Sequence, residues 1–529
     1  MEALRKIYGD DFLGHVLNLD DLEVPEESLS DGQREAVACL RLASRREPGD
    51  NDALFHFNVA ARVGHYITEV GTNLCTFARQ HSTGKSLQIE GDDSLLTHLW
   101  NLGSQIWPIF LLPRQGEREP HLMSLGSFTF NHPIALAVWQ SILRDRSLRR
   151  LFKHAPSRVD DMRSATEISS WITYSTGHSG TLQLVMLPDV MLTVARYRQL
   201  LHGSNDLGSY LQEIAAVLDE ARQLSRRQDI RVPYFLGLSN MQLPADEIAS
   251  TPFGTIRPVR DTDQTLISIS NNAGSHVTAV IEASHPCKIL EIIPTQDAAD
   301  DFDRLERLRG TFDDCREQAE LEVVACRLSL LLASDQTMLI APAVVSRALL
   351  DTFNMYPLQT WRSQPPQPSG VSLLDAASVE RATEWSKRLT LGNVRRLKIG
   401  ARRILSAASD RGDLLDSLID AVICWENMFG STPDTAFRIC GAMACLMQPE
   451  DRDAREELLR KLKRVYSRRS DIVHGRTELP AYKVQEYRDT AIKFGLEALR
   501  LLLVNSDLMA IQESSLRAEL LLRAGGYLD

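Results

Sequence analysis

Long apolar runs are missing from this 529-residue chain. None approaches the ~18–20 residues that a bilayer-spanning helix needs, so no membrane anchor is expected. The start, Met1-Glu-Ala-Leu-Arg5, lacks the basic stretch and apolar core of a secretory signal, which places the protein in the cytoplasm. Paired cysteines are missing too. The eight cysteines are scattered, none forms a C-x-x-C pair, and the closest two, Cys440 and Cys445, lie in a helix-like apolar segment. That excludes a zinc ribbon and a disulfide framework, leaves buried reduced thiols, and gives no reason to expect a metal or cofactor. An excess of positive charge is also lacking. The net charge of −11, taken alone, argues against a nucleic-acid partner.

The distribution of charge points the other way for the last third of the chain. Residues 373–529 carry 25 Lys and Arg against 23 Asp and Glu, a balance of +2, while everything before them stands at −13. Lys387 to Arg403 holds seven basic residues and no acidic one, and Arg452 to Arg476 holds nine against four. Clustered bases in an otherwise acidic protein can form a local phosphate-binding surface, and the alternative for each cluster is a solvated helix face.

A chain of this length exceeds one ordinary core and suggests about three domains. Residues 1–228 read as a mostly helical N-terminal domain, with amphipathic stretches at Ala53–His81, His132–His154 and Val190–Arg227. Residues 229–356 change texture to β-rich runs, Thr265–Ser270, His276–Glu282 and Cys287–Ile293, and predict a small mixed α/β middle domain separate from the C-terminal third. Pro357, Pro365, Pro366, Pro368 and Gly370 mark a linker over 357–372. Beyond it six helical segments, Ser378–Leu389, Val394–Ser409, Asp413–Phe429, Asp434–Met447, Glu456–His474 and Ala481–Asn505, predict a bundle. The fold class is therefore mainly α. In Asp413–Phe429 the residues Leu415, Leu418, Ile419, Val422, Trp425 and Phe429 recur at helical spacing as one buried stripe ended by Gly430. Glu426 falls on the edge of that stripe and needs a partner, either Arg438 or a basic residue of the Glu456–His474 helix.

Two apparent motifs are incomplete. His81-Ser-Thr-Gly84-Lys85-Ser86 lacks the earlier Gly of a P-loop, has Arg79 in its place and follows a helix-like segment. Gly177-His-Ser179-Gly180 is one residue short of a nucleophile elbow, because position 181 is Thr.

Three other segments occur in a telling order: Ile399-Gly-Ala-Arg-Arg-Ile-Leu-Ser-Ala-Ala408, Leu418-Ile-Asp-Ala-Val-Ile-Cys-Trp-Glu-Asn-Met-Phe429, and Tyr466-Ser-Arg-Arg-Ser-Asp-Ile-Val-His-Gly475. Together they resemble the Apea-like branch of the HEPN family (higher eukaryotes and prokaryotes nucleotide-binding). The chain departs from that branch in Trp425, where a smaller apolar residue is usual, and in the Cys- and Met-rich helix 434–447. The resemblance implies a HEPN-type helical bundle and, in catalytic members, an Arg followed after four to six residues by His, two copies of which meet in a homodimer to cut RNA without metal. Arg469 and Arg468 both stand at such a distance from His474. So do Arg149 and His154, Arg196 and His202, and Arg114 and His121, and the Arg196 pair is followed by Gly203. The helices preceding His474 and its Ile-Val-His-Gly ending set it above these.

The chemistry points to the same place. Gly475 suits a left-handed helix end, so His474 should sit beside unpaired carbonyls, where the helix dipole and Asp471 three residues back favour the imidazolium. Cleavage by the ribose 2′-hydroxyl needs a base, an acid and positive charge on the phosphate. His474 suits proton transfer, Arg469 or Arg468 suits charge stabilisation, and Arg464, Arg476, Arg402 and Arg403 are the candidate RNA-backbone contacts. At ~100° per residue neither Arg469 nor Arg468 stands over His474 on a straight helix, so a partner subunit or a frayed end must complete the site. The resemblance further implies a role in defence against phage, and a trigger, phage-derived or a small molecule, acting through the acidic N-terminal two thirds. The rival expectation is a non-catalytic HEPN module that binds a nucleotide, RNA or protein partner.

Overall fold

The computed structural model describes residues 1–83, 85, 88–113, 128–244, 247–264, 266–267, 277–297, 302–334, 341–354, 372–430, 435–474 and 479–528. The chain is mainly α with its sheet in the middle third. No helix among these residues is long and apolar enough to cross a membrane. The 357–371 part of the proline-rich linker lies outside the described residues.

The expected helices of the first third are present but more broken than their amphipathic spacing suggests. Ala53–His81 is two helices, Asp52–Gly64 and Leu74–Thr83, around a short hairpin of Tyr66–Ile67 and Thr72–Asn73. Two further strands interrupt the helical reading, Ser169–Tyr174 and Ser179–Gln183, and they form a three-stranded sheet with Ile289–Pro294. The N-terminal region and the middle region are thus tied by β pairing across residue 228. Every residue of the helix Leu187–Leu201 is buried, so its arginines need internal partners. Arg198 finds one in Glu220, at 2.5 Å.

The main sheet has five antiparallel strands in the order Ala343–Leu349, Ile230–Ser239, Ala279–Cys287, Gly254–Pro258 and Ala249–Thr251. The expected strand at His276–Glu282 runs from Ala279 to Cys287, and the one at Cys287–Ile293 from Ile289 to Pro294. The expected strand at Thr265–Ser270 is corrected: Leu266 and Ile267 are helical, and the other residues of that run lie outside the described residues. Two buried apolar residues suit either conformation, and local composition does not separate them.

A 32-residue helix, Phe302–Ala333, joins the sheet region to the bundle. From Leu321 to Ala333 it is buried on all sides. Val323, Cys326 and Leu330 belong to the core of the N-terminal and middle regions, while Leu321, Val324, Leu328 and Leu331 belong to the core of the bundle. One helix is therefore shared between the two cores. Ion pairs reinforce the seam: Lys398 with Glu317, Arg402 with Glu320 and Arg327 with Asp410, each at 2.7 Å.

All six bundle helices are present. Val394–Ser409 is subdivided into Leu391–Arg396, Lys398–Leu405 and a π turn, Ser406–Asp410, and two short helices, Ser506–Ala510 and Ser514–Ala524, close the chain. The central helix, Leu414–Phe429, buries Leu418, Val422, Trp425 and Phe429 as the stripe predicts. Leu415 is exposed and Ile419 half-buried, because the buried face instead widens through Ala421, Cys424 and Met428. Gly430 ends the helix in an extended rather than left-handed conformation, and a Cβ there would collide with the Glu426 carbonyl oxygen. Asp420 is buried on this helix and is satisfied by Arg403, Ser406 and Arg411.

Candidate functional site

The site helix, Arg452–Val473, starts where the Asp451 carboxylate accepts the Ala454 N–H at 2.9 Å. Leu458, Leu462 and Val465 seat it on the bundle, and Leu459, Tyr466 and Ile472 flank that contact. Its other faces carry charge, with Arg452–Glu456 and Lys461–Glu457 pairs at helical spacing. At ~1.5 Å per residue its 22 residues reach about 33 Å, so its far end stands clear of its start.

That far end holds the expected residues. Arg469 is only 21% exposed, and its Nη2 lies 3.6 Å from Oε1 of Glu426 on the central helix. The same oxygen accepts the Tyr466 hydroxyl at 2.9 Å. Burial, then the hydrogen bond and charge of Glu426, pushes the Tyr466 phenol well above its ordinary range, so it remains a donor. One carboxylate oxygen thus anchors two residues of the site helix. The partner that Glu426 needs is Arg469, from one of the two sources the sequence allows. The Arg469 Nε is buried and has no hydrogen-bond partner among the described residues.

Arg468, one residue back and about 100° round the helix, is 40% exposed and pairs with Asp471 at 3.4 Å. Asp471 thus has Arg468, three residues back on the same helix, as a partner. His474 caps the helix with φ −89° and ψ 5°, and its backbone N–H reaches the Ser470 carbonyl at 3.1 Å. Its side chain is exposed and makes no hydrogen bond or ion pair among the described residues. Gly475 and Arg476 lie outside the described residues.

Of the other proposed RNA contacts, only Arg464 presents an exposed guanidinium without a partner among the described residues. Arg402 and Arg403 are engaged, the first with Glu320 on the long helix and the second with buried Asp420 at 2.5 Å. A basic run with no acid within it still finds acids from distant helices, which sequence proximity conceals. The competing residues Arg196, His202 and Arg149 are committed to local partners. Arg196 is buried, hydrogen-bonded to Gln199 and Asn205 at 2.8 Å and stacked over Trp107 and Phe110, while His202 pairs with Glu213. The Glu213 carboxylate raises the His202 imidazole above its ordinary value. Arg149 is bound to the carbonyls of Ala155 and Pro156. Arg114 and His121 lie outside the described residues.

Arg464, Arg468 and Arg469 outweigh Glu426 and Asp471, so the helix end is cationic, and an exposed imidazole adjoins it. Such an end can hold a phosphate and exchange a proton beside it. Tyr466 is the member that sequence reasoning missed. Its signal was its place three residues before Arg469, on the face that meets Glu426. No known protein family, curated protein or solved structure matches the chain.

Proposed function

We propose that the bundle is a metal-independent endoribonuclease of the HEPN type, acting as a homodimer in a defence or toxin-like effector. The observation that carries the reading is the division of labour at the end of the site helix: Arg469 is held at a fixed place by Glu426, while His474 projects freely from the cap. In the reaction, a base takes the proton of the ribose 2′-hydroxyl and the 2′-oxygen attacks the adjacent phosphorus. An acid then protonates the departing 5′-oxygen, leaving a 2′,3′-cyclic phosphate and a 5′-hydroxyl. His474 of each copy supplies one of the two proton transfers, and Arg469 and Arg468 stabilise the crowded phosphate. Val473, beside His474, is 49% exposed, and a second copy would cover it. A symmetric interface would also supply the second imidazole.

His474→Ala tests this directly. Cleavage of total RNA should fall by roughly 10²–10⁴ with unchanged circular dichroism, because an exposed cap residue removes little packing. His154→Ala and His202→Ala should cut as wild type does, and activity should survive EDTA. Expression of wild type in a bacterium should slow growth, and the His474 variant should not. Equal cleavage by wild type and His474→Ala rejects catalysis. It leaves the second reading, a non-catalytic binding module, which the pairing of both arginines with carboxylates favours.

A further inference from the structure

The outer face of the site helix carries charge that the fold does not use. From Leu458 to Ser470 the helix has six Lys and Arg residues and no acid. Arg469 turns inward to Glu426, and Lys461 pairs with Glu457 at 2.6 Å. Arg460, Lys463 and Arg464 are exposed and pair with no carboxylate among the described residues. Arg460 donates only to the Glu456 carbonyl of its own helix, through Nε at 3.3 Å, and the Lys463 ammonium lies 5.0 Å from the centre of the Phe437 ring.

Spacing makes these cations a row. Arg460, Arg464 and Arg468 stand at i, i+4 and i+8, each ~6 Å further along the axis and only ~40° further round. Leu458, Leu462 and Val465 face the bundle on the other side, so the row looks outward. Asp471 reaches it through Arg468, while Glu456 and Glu457, before its start, are engaged with Arg452 and Lys461. The helix gains nothing from the row. Like charges four residues apart repel one another and cost stability. The helix dipole favours cations only in the last turn, and Arg460 and Arg464 stand well before it. A line of cations with this rise is close to the repeat of phosphates along an extended nucleic-acid strand, and planar guanidinium groups suit phosphate oxygens.

An aromatic ring stands past the end of the row. A connection of six residues leads from His474 to the next helix, Ala481–Val504, which packs against the site helix, so the end of one and the start of the other lie at the same end of the bundle. Tyr482, in the first turn of that helix, is 66% exposed, and the Lys483 ammonium lies 5.6 Å from its ring centre. A tyrosine left in solvent adds nothing to the core. Its face suits an unpaired base, whereas a base within a duplex is already stacked and paired.

We propose that this face is the track for a single strand of RNA, with Arg460, Arg464 and Arg468 on successive phosphates leading towards His474 and Tyr482 stacked on an unpaired base beyond it. Lys463 lies beside the row and adds to its field. The inference rests on the ribonuclease reading for the choice of polymer, and deepens it by naming the substrate as unpaired RNA. A duplex offers the same phosphates but no free base face, so Tyr482 is the residue that separates the two.

Fluorescence anisotropy on the full-length His474→Ala chain tests it, since binding is then read without cleavage. The probes are a labelled single-stranded RNA of about 12 nucleotides, within the site sizes of single-strand tracks, and the same strand annealed to its complement. The single strand should bind roughly 10-fold more tightly than the duplex, or better. Tyr482→Ala should weaken single-strand binding roughly 5- to 100-fold, as for one lost stacked base, while Tyr482→Phe retains it and duplex affinity stays unchanged. Arg460→Ala should lower the slope of single-strand affinity against salt by roughly 0.7 to 1, as for one lost phosphate contact. Both side chains are exposed, so circular dichroism should not change. Duplex binding as tight as single-strand binding, or Tyr482→Ala within about twofold of its parent, overturns the inference. No saturable binding of either RNA overturns it too, and leaves the row to an acidic protein partner or to solvent. Cleavage by the chain with His474 intact is scored separately. Strand binding that depends on Tyr482 without any cleavage keeps this inference and rejects catalysis, and cleavage indifferent to Tyr482→Ala does the reverse.

Discussion

Glu426→Gln isolates the anchoring of Arg469. The Oε1 of Glu426 is 3.6 Å from Arg469 Nη2 and 2.9 Å from the Tyr466 hydroxyl, and the carboxylate is 28% exposed. At an effective dielectric of ~20 the gross attraction over that distance is about 5 kcal/mol. Desolvation and side-chain ordering cancel most of it, so the net stability at stake is about 1 kcal/mol. Gln keeps an oxygen for Tyr466 and nearly the same volume, which removes the charge while sparing the packing. The urea midpoint should therefore move only slightly. Cleavage should respond far more, because an arginine displaced by about 1 Å from its phosphate can lose on the order of 10² in rate. The measurement pairs single-turnover cleavage of a defined RNA with urea unfolding of the same preparation. Cleavage within twofold of wild type at unchanged stability refutes the positioning role of Glu426. A loss of stability above about 3 kcal/mol assigns Glu426 to the fold instead, since that is the range of a broken buried pair.

Three further outcomes are expected. Arg464→Ala should lower the slope of RNA affinity against salt by about 1, as for one lost phosphate contact, whereas Arg402→Ala and Arg403→Ala should leave the slope unchanged. Gel-shift titrations over a salt series distinguish them, and equal effects would return Arg402 and Arg403 to the RNA surface. Light scattering should give a dimer at micromolar concentration, and a strictly monomeric chain that still cuts RNA would refute the shared site. Stability should fall as pH drops from about 6.5 to about 4, in part through His132. Burial lowers its pKa to about 4, and the neutral ring accepts the Ile134 N–H at Nδ1 and faces the Gln105 side-chain oxygen with Nε2. A folded value below the unfolded one gives stability that is present above about 6.5 and lost on acidification, here about 3 kcal/mol. Urea unfolding from pH 7 to pH 4 should show the loss, and His132→Asn, which retains a capping oxygen, should remove this part of it.

The six bundle helices were legible because each carries its own evidence, an apolar stripe at helical spacing and a polar break at either end. Leu418, Val422, Trp425 and Phe429 belong to that legible part, and so does the placement of His474 at a helix end. The strand Ile230–Ser239 was not legible. It is an interior strand of the sheet and from Tyr234 onward is buried on both faces, so that part has no alternation to display, and Pro233 and Gly237 read as breaks.

The long helix divides the two kinds of knowledge most clearly. Sequence alone determines that Leu321–Ala333 is a largely apolar run. It does not determine that the run is the end of a long helix, one side of which completes the sheet's core and the other the bundle's, because burial on every side erases the periodicity that would name a partner. The same holds for charge. The basic run Lys387–Arg403 is a fact of sequence, yet whether it faces solvent or acids depends on Glu317, Glu320 and Asp420 arriving from other helices. Ion pairing acts through space over a few ångströms, so only the tertiary structure decides which cations are spent within the fold and which, like Arg464, remain at its surface.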